Sequence, residues 1–302
     1  MTTILELCSI NLLSSPLLTV SENAETLTPE WLQAFILGIV QGITEFLPIS
    51  STAHLLIFTR VFGWQELGAK DFVDAIQFGS VIAILWYFRD LITTIVKGAI
   101  TAFQSKDWEN EEWKIMVGIA VGTMPALIFG FFLKDVLPDS ALIIAIMSVI
   151  MAILLGLAEK IGTRKRGFDR LQIKDGILVG LGQTLALIPG TSRSGSTLTT
   201  SLFLGLERDT AAKFSFLLGF PTLTVATLYK SLRIFQDFQA GQLPDNIVLL
   251  LVIGIVSTFI FSYLSIAFLI RYLQTKNTFV FVWYRLAFGI AILVAIANGW
   301  QG

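Results

Sequence analysis

Histidine and cysteine are almost missing from this chain, which holds one of each, His54 and Cys8. A lone cysteine excludes an intrachain disulfide and any cysteine cage, and a lone histidine excludes a polyhistidine zinc site. Charge is scarce as well. Charged residues make up 14% of the 302 positions, against roughly 25% in a soluble domain. The net charge of -1 points neither to nucleic acid nor to a strongly basic surface. Apolar residues fill the gap, at 54% of the chain with a mean hydropathy of +0.75. The 24 phenylalanines and 7 tryptophans suit lipid contact and interfacial anchoring. This is the composition of an integral membrane protein.

Residues 1–29 fit no standard signal. No basic residue precedes the partly apolar stretch from Met1 to Val20, and Asn11, Ser14, Ser15 and Pro16 interrupt it. They read as an N-terminal extension of interfacial character, with a processed segment as the alternative. The membrane domain is expected over 30–302.

A spanning helix needs about 20 apolar residues. Six segments qualify, roughly 72–91, 114–133, 140–159, 210–230, 247–271 and 279–299. Two more, about 31–60 and 176–205, are broken in the middle, the first from Pro48 to Thr52 and the second from Pro189 to Gly195. Proline removes a backbone donor and glycine loosens a helix. Irregular backbone survives at membrane depth only when buried in protein or facing a water-filled cavity, so both segments are expected to be re-entrant helix pairs.

Basic residues test that count. With Lys160, Arg164, Lys165, Arg166, Arg170 and Lys174 placed in the cytoplasm, alternating six spans puts eight more basic residues on their side and five on the other. Both chain ends then lie outside. An internal repeat agrees: Gly38, Gln41 and Pro48 are echoed by Gly180, Gln183 and Pro189, and Lys70-Asp71-Phe72 by Lys213-Phe214, at an offset of roughly 140 residues. Three spans per half (about 31–159 and 176–299) make the second half inverted relative to the first, with the working site where the broken helices meet. The expected fold is all-α and polytopic, with about six transmembrane helices and two re-entrant pairs in an inverted-topology repeat.

The breaks carry the polar chemistry. In the first, Gln41 and Glu45 share a helix face. Ser51 and His54 share another if a new helix starts at Ser50, a good N-cap. An acid, a hydroxyl and an imidazole are thereby expected to face one another, and an ionisable group in an apolar segment marks a functional site. Alternatives stand beside this: His54 as a hydrogen-bonded structural residue, and Gln41 as helix-packing glue. The second break, Pro189-Gly190-Thr191-Ser192-Arg193-Ser194-Gly195, opens a helix with free backbone N–H groups and a positive dipole end. Such a nest holds an anion, and Arg193 adds a fork suited to phosphate. Thr52, Ser196 and Thr197 read as small packing residues. Arg285, in the last span, either pairs with an acid or lines the site.

The runs from Gln41 to His54 (Gln-Gly-Ile-Thr-Glu-Phe-Leu-Pro-Ile-Ser-Ser-Thr-Ala-His) and from Pro189 to Gly195 resemble the two signature regions of the undecaprenyl-diphosphate phosphatase family, also called bacitracin-resistance proteins. The resemblance runs from about residue 31 to the C-terminus. It implies a multi-pass enzyme of the bacterial cytoplasmic (inner) membrane, its site opening to the outer face. The implied reaction is hydrolysis of undecaprenyl diphosphate to undecaprenyl phosphate and inorganic phosphate, which recycles the lipid carrier for cell-wall synthesis. The implied partners are the polyisoprenyl diphosphate and membrane lipids, with no nucleic acid; a homodimer stays open. The implied cofactor is a divalent cation, magnesium or calcium.

By motif position the family's functional glutamate pair falls on Gln41 and Glu45, its serine on Ser51, its histidine on His54 and its arginine on Arg193. Gln41 departs from the pattern: an amide orients a group or donates to phosphate but is a weak metal ligand and no base. The implied roles are catalysis by Glu45, Ser51, His54 and Arg193, and substrate binding by Gln41, Ser50, Gly190, Thr191, Ser192, Ser194 and Gly195. Any metal would be held by Glu45 with Gln41. The rival class is a transporter or flippase of a lipid phosphate, which commonly uses the same inverted plan.

Overall fold

The computed structural model describes residues 28–64, 67, 70–133, 140–242, 244 and 246–300. The expected extension over 1–29 lies outside these apart from its last two positions. Helix accounts for nearly all of the described chain. The first broken segment forms α1 (Glu30–Phe46) and α2 (Ser51–Phe62); then come α3 (Lys70–Ile76), α4 (Phe78–Tyr87), α5 (Arg89–Ser105), α6 (Glu111–Leu133) and α7 (Ala141–Ile161). The second broken segment forms α8 (Ile173–Thr184) and α9 (Arg193–Phe203), and the long helices α10 (Arg208–Gln239), α11 (Ile247–Thr275) and α12 (Phe279–Ala297) complete the chain.

Among the described residues five helices are long and apolar enough to cross a membrane, namely α6, α7, α10, α11 and α12. They fall on five of the six expected spans. The remaining span, 72–91, differs. It is α3 and α4 together, followed by a 68° bend into α5, a helix that extends beyond the expected span. Counted as one broken span, the bent pair brings the total to six. The bend has a physical reason: α5 buries only the stripe Ile95, Ala99 and Ala102, which lies against α6, and a helix apolar on one face lies along a neighbour.

The surface is inside-out relative to a soluble protein. Phe131, Phe132, Leu249 and Trp283 are exposed, whereas Ser80, Thr258 and Ser262 are fully buried. Buried hydroxyls act as interhelical glue: Ser257 and Ser265 of α11 donate to the Phe35 and Ile43 carbonyls of α1 at 2.8 and 3.0 Å.

Packing repeats across the halves. The first arm α1 lies along α11 of the second half, and the second arm α8 lies along α6 of the first. Glycine makes both seams possible. A Cβ on Gly38 would sit 2.7 Å from the Gly254 carbonyl of α11, and one on Gly180 would sit 2.0 Å from the Gly122 carbonyl of α6. Helix α7 packs on α12, pairing one half with its counterpart. The arm α8 is further pinned at its start, where Gln172 and Asp175 form a capping box and Asp175 takes both arms of Arg166 at 2.9 and 2.5 Å.

Candidate active site

Both breaks arise the same way. Proline at 48 and proline–glycine at 189–190 stop an arm, and a serine at the next helix's N-cap turns the chain. Ser50 has φ 77° and ψ 98°, and Ser192 has φ 72° and ψ 119°. Few L-residues hold such angles; each costs about 1–3 kcal/mol and recurs at functional sites. Gly190, at φ 89°, has no room for a side chain: a Cβ there would meet Ile144 of α7 at 2.6 Å.

Helices α2 and α9 therefore begin side by side at one cavity of about 240 Å³, lined by Glu45, Ser50, Ser51, Asp74, Gln77, Gln183, Ser192 and Arg193 among others. Two helix N-termini face it, which brings backbone N–H groups and the positive ends of two helix dipoles beside the carboxylates of Glu45 and Asp74. A second lobe of about 260 Å³ shares Ser51, Asp74, Gln77 and Leu187 with it and runs along α2 past Leu55, Leu56 and Thr59.

Glu45 is the hub. It is only 6% exposed. One carboxylate oxygen accepts from Gln41 at 2.8 Å, Ser51 at 2.7 Å and Gln77 at 3.1 Å; the other accepts from Arg193 at 2.5 Å. Arg193 gives its other arm to the Gly219 carbonyl of α10 at 2.9 Å. The two breaks are thus joined by an ion pair, and a hydroxyl rests on the acid that would take its proton. Ser194 of the second break also donates to the Leu47 carbonyl of the first, at 3.1 Å.

His54 is not where the spacing places it. Its Nδ1 meets the Ser50 carbonyl at 2.7 Å and its Nε2 the Tyr284 hydroxyl of α12 at 2.7 Å. The ring stacks on Phe288 at 4.4 Å. A carbonyl only accepts, so Nδ1 carries the hydrogen and the neutral ring's Nε2 accepts from the tyrosine. Neither Glu45 nor Ser51 shares a hydrogen bond with it. The acid and the hydroxyl come together, while the imidazole braces the break from behind because α12 offers it an aromatic wall.

Among the residues of the expected nest, Gly190 and Ser192 line the cavity; Thr191, Ser194 and Gly195 are not among its lining residues. Ser192 accepts from the Gly195 N–H at 3.1 Å as a true N-cap. Gln41 lines the second lobe and Ser50 the first.

Residues 34–291 match the family described as bacitracin resistance protein BacA. The chain belongs to this family. It is 54% identical over 271 residues to a protein of Thermosynechococcus vestitus named undecaprenyl-diphosphatase, a match that spans 89% of this chain and 97% of that one. A protein of the same name from Trichormus variabilis is 50% identical over 275 residues, covering 89% of this chain and 84% of that one. Another, from a Synechocystis species, is 47% identical over 274 residues, covering 88% and 82%. Every residue of the two breaks falls inside the stretch matched by the bacitracin resistance family.

Within this family member the donor set does not fit a resident divalent cation on Gln41 and Glu45. A hard cation takes several oxygen ligands, carboxylates foremost. Here Glu45, the one carboxylate of that pair, already accepts four hydrogen bonds, Arg193 balances its charge, and Gln41 turns its amide nitrogen toward it. Among the described residues no three His, Cys, Asp or Glu groups stand close enough to hold a metal.

Two lining residues escaped the sequence reading. Gln77 sits at the joint between α3 and α4 and donates to Glu45; Asp74 lines both lobes and meets Lys230 of α10 at 3.4 Å. The signal was present, an acid and an amide three positions apart inside an otherwise apolar span. Arg285, left open between pairing and lining, does neither among the described residues. Its guanidinium hydrogen-bonds main-chain carbonyls, Pro48 and Gly190 among them.

Proposed function

We propose that this protein hydrolyses undecaprenyl diphosphate to undecaprenyl phosphate and inorganic phosphate, the activity in its relatives' name. One observation carries the reading: a buried carboxylate, Glu45, holds Ser51 and Arg193 at once across the two breaks, at the meeting point of two helix N-termini.

The chemistry follows from that arrangement. A diphosphate entering the cavity competes with Glu45 for Arg193, and the helix N-termini take its remaining oxygens. Once Arg193 turns to phosphate, Glu45 loses its counter-charge and becomes a stronger base. It takes the Ser51 proton while Ser51 Oγ bonds to the terminal phosphorus. The bridging P–O bond breaks with its electron pair staying on undecaprenyl phosphate. Water then attacks the phosphoserine phosphorus, the P–Oγ bond breaks, Glu45 returns its proton to Ser51 Oγ, and inorganic phosphate leaves with the surplus proton of water passing to solvent. The same residues serve a direct attack by water oriented on Ser51 and Glu45, because phosphoryl transfer rests mainly on positioning and charge stabilisation. His54 and Tyr284 fix the start of α2, so that Ser51 stays on Glu45. The second lobe along α2 takes the first isoprene units of the lipid.

We further place the protein in the bacterial inner membrane with both broken segments re-entrant and the cavity open to the outer face. Loop charge supports the orientation, with 160–174 in the cytoplasm; the outer-face opening rests on the resemblance alone. Pure lipid carriage explains the inverted plan equally well but leaves the 2.7 Å contact between Ser51 and Glu45 without a task.

The test is phosphate release from a C55 or C15 isoprenyl diphosphate by protein purified in detergent, where a flippase has no two sides to work between. It is run with and without magnesium or calcium, beside Glu45→Ala and Arg193→Ala, and the particle mass reads out any homodimer. Release lost in both variants supports the hydrolase. No release by folded protein under any cation sinks it. Near-normal turnover by Ser51→Ala removes the phosphoserine and leaves the water route.

A further inference from the structure

Arg285 is a buried charge that the reaction above does not use; Glu159 and Asp175 are buried too, but each is paired with an arginine. It is 1% exposed, in the middle of α12. Among the described residues its hydrogen bonds all go to main-chain carbonyls: Gly190 at 2.8 Å, Pro48 at 3.1 Å, Ser148 at 3.3 Å and Met147 at 3.5 Å. Among the described residues no carboxylate pairs with it. A charge taken out of water without a counter-charge is expensive, and inside a membrane such a group marks a function.

Its two shortest bonds fall on equivalent places. Pro48 and Gly190 each lie two residues before the serine of positive φ that opens the next helix, Ser50 and Ser192. One planar guanidinium thus holds the same carbonyl of both breaks. Two other links join the breaks, the Glu45–Arg193 ion pair and the Ser194 bond to Leu47. The ion pair must open when Arg193 turns to phosphate, so Arg285 is the charged link that outlasts substrate binding.

We propose that Arg285 is a positioning residue: it clamps the two breaks together so that Ser51 and Glu45 on one side and Arg193 on the other address the same phosphate. The proposal rests on the hydrolase reading for its kinetic consequence, but the clamp itself has a structural one. Lysine keeps the charge yet offers a point rather than a fork, so Arg285→Lys holds one carbonyl at a time. Arg285→Met keeps the volume and holds neither.

Steady-state kinetics with farnesyl diphosphate, melting temperature, and the distance between spin labels at Phe62→Cys and Phe203→Cys are measured in a Cys8→Ala background. These labels report the far ends of α2 and α9, both exposed. In Arg285→Met, kcat is expected to fall about 100-fold, the loss that a misplacement of about 1 Å brings, with KM within about threefold because the anion-binding groups remain. In Arg285→Lys the expected fall is about tenfold, and in both variants the label distance broadens. Unchanged kcat and unchanged label distance in both variants overturn the proposal. So does a lower melting temperature with kcat per folded molecule unaltered, since that is a purely structural role. If Arg285→Met does not fold, Arg285→Lys decides: full turnover with a single narrow distance overturns the clamp. If the parent protein releases no phosphate, the hydrolase reading falls, and the label distances still decide on Arg285.

Discussion

Ser50 and Ser192 stand roughly 140 residues apart, open the helices α2 and α9 with nearly the same backbone angles, and differ in almost everything that follows them. After Ser50 come Ser51 and His54, and an acid, Glu45, precedes it. After Ser192 comes Arg193, with no acid before it in the break. The seams behind them also match, α1 on α11 and α8 on α6, each closed by glycine against a facing carbonyl. The backbone is duplicated and the chemistry divided. One break supplies the acid and the hydroxyl, the other the cation.

Substitutions that treat the breaks as interchangeable test this division most severely. Exchanging the charges, Glu45→Arg with Arg193→Glu, keeps an ion pair across the breaks but puts the cation beside Ser51. Phosphate release is expected to fall about 1,000-fold and to stay as low as in either single variant, the scale of losing a charge-stabilising group. Recovery in the double variant would show that the two positions are equivalent after all.

The seams are expected to respond alike, because there the halves are truly alike. Gly38→Val and Gly180→Val each force a side chain into a facing carbonyl, with a cost of about 1–3 kcal/mol or more for overpacking. Thermal unfolding in detergent should show lower melting temperatures for both, Gly180 the more affected because its seam is tighter. Tolerance at one site alone would break the equivalence.

Gln41→Glu restores the second acid of the family pattern. It places a carboxylate beside Glu45 with only Arg193 to balance both, so apparent affinity for magnesium or calcium in the release assay is expected to rise about tenfold, as an added charged ligand warrants. An unchanged cation titration would mean that the pair is not where a cation sits.

The smallest effect is expected at Ser50→Gly. Ser50 makes no side-chain capping bond, so glycine relieves the positive φ while loosening the unfolded chain, two terms of about 1 kcal/mol that nearly cancel. Ser192→Gly also loses the cap on Gly195 and should be the worse of the pair by about 1 kcal/mol. Equal melting temperatures would erase that difference.

Local signals in the sequence were enough for the breaks and most of the spans. Pro48 and the Pro189–Gly190 pair announce where helices must stop, and long apolar runs announce α6, α7, α10, α11 and α12. The association of Glu45 with Ser51 was legible because both lie within one turn of the same break. The bend between α4 and α5 was not, since no proline or glycine marks Phe88, and the Arg89-Asp90 pair after it reads as the end of a span rather than as a turn into another helix. Nor was the direction of His54. Spacing along a helix places the ring on a face, but Tyr284 and Phe288, more than two hundred residues away, decide what that face meets. The acceptors of Arg285 lie 95 to 237 positions away, and main-chain carbonyls leave no trace in a sequence.

Helix α7 packs on its own counterpart α12, so these two lie where the halves turn into one another. Ser148 of α7 gives its carbonyl to Arg285 and is itself fully buried. Two identical subunits assembled in this way would have to bring an arginine from each to nearly the same spot, and the like charges would drive them apart. Joining the halves in one chain lifts that constraint. A residue that reaches the same carbonyl of both breaks need be present only once, and Arg285 comes from one half alone.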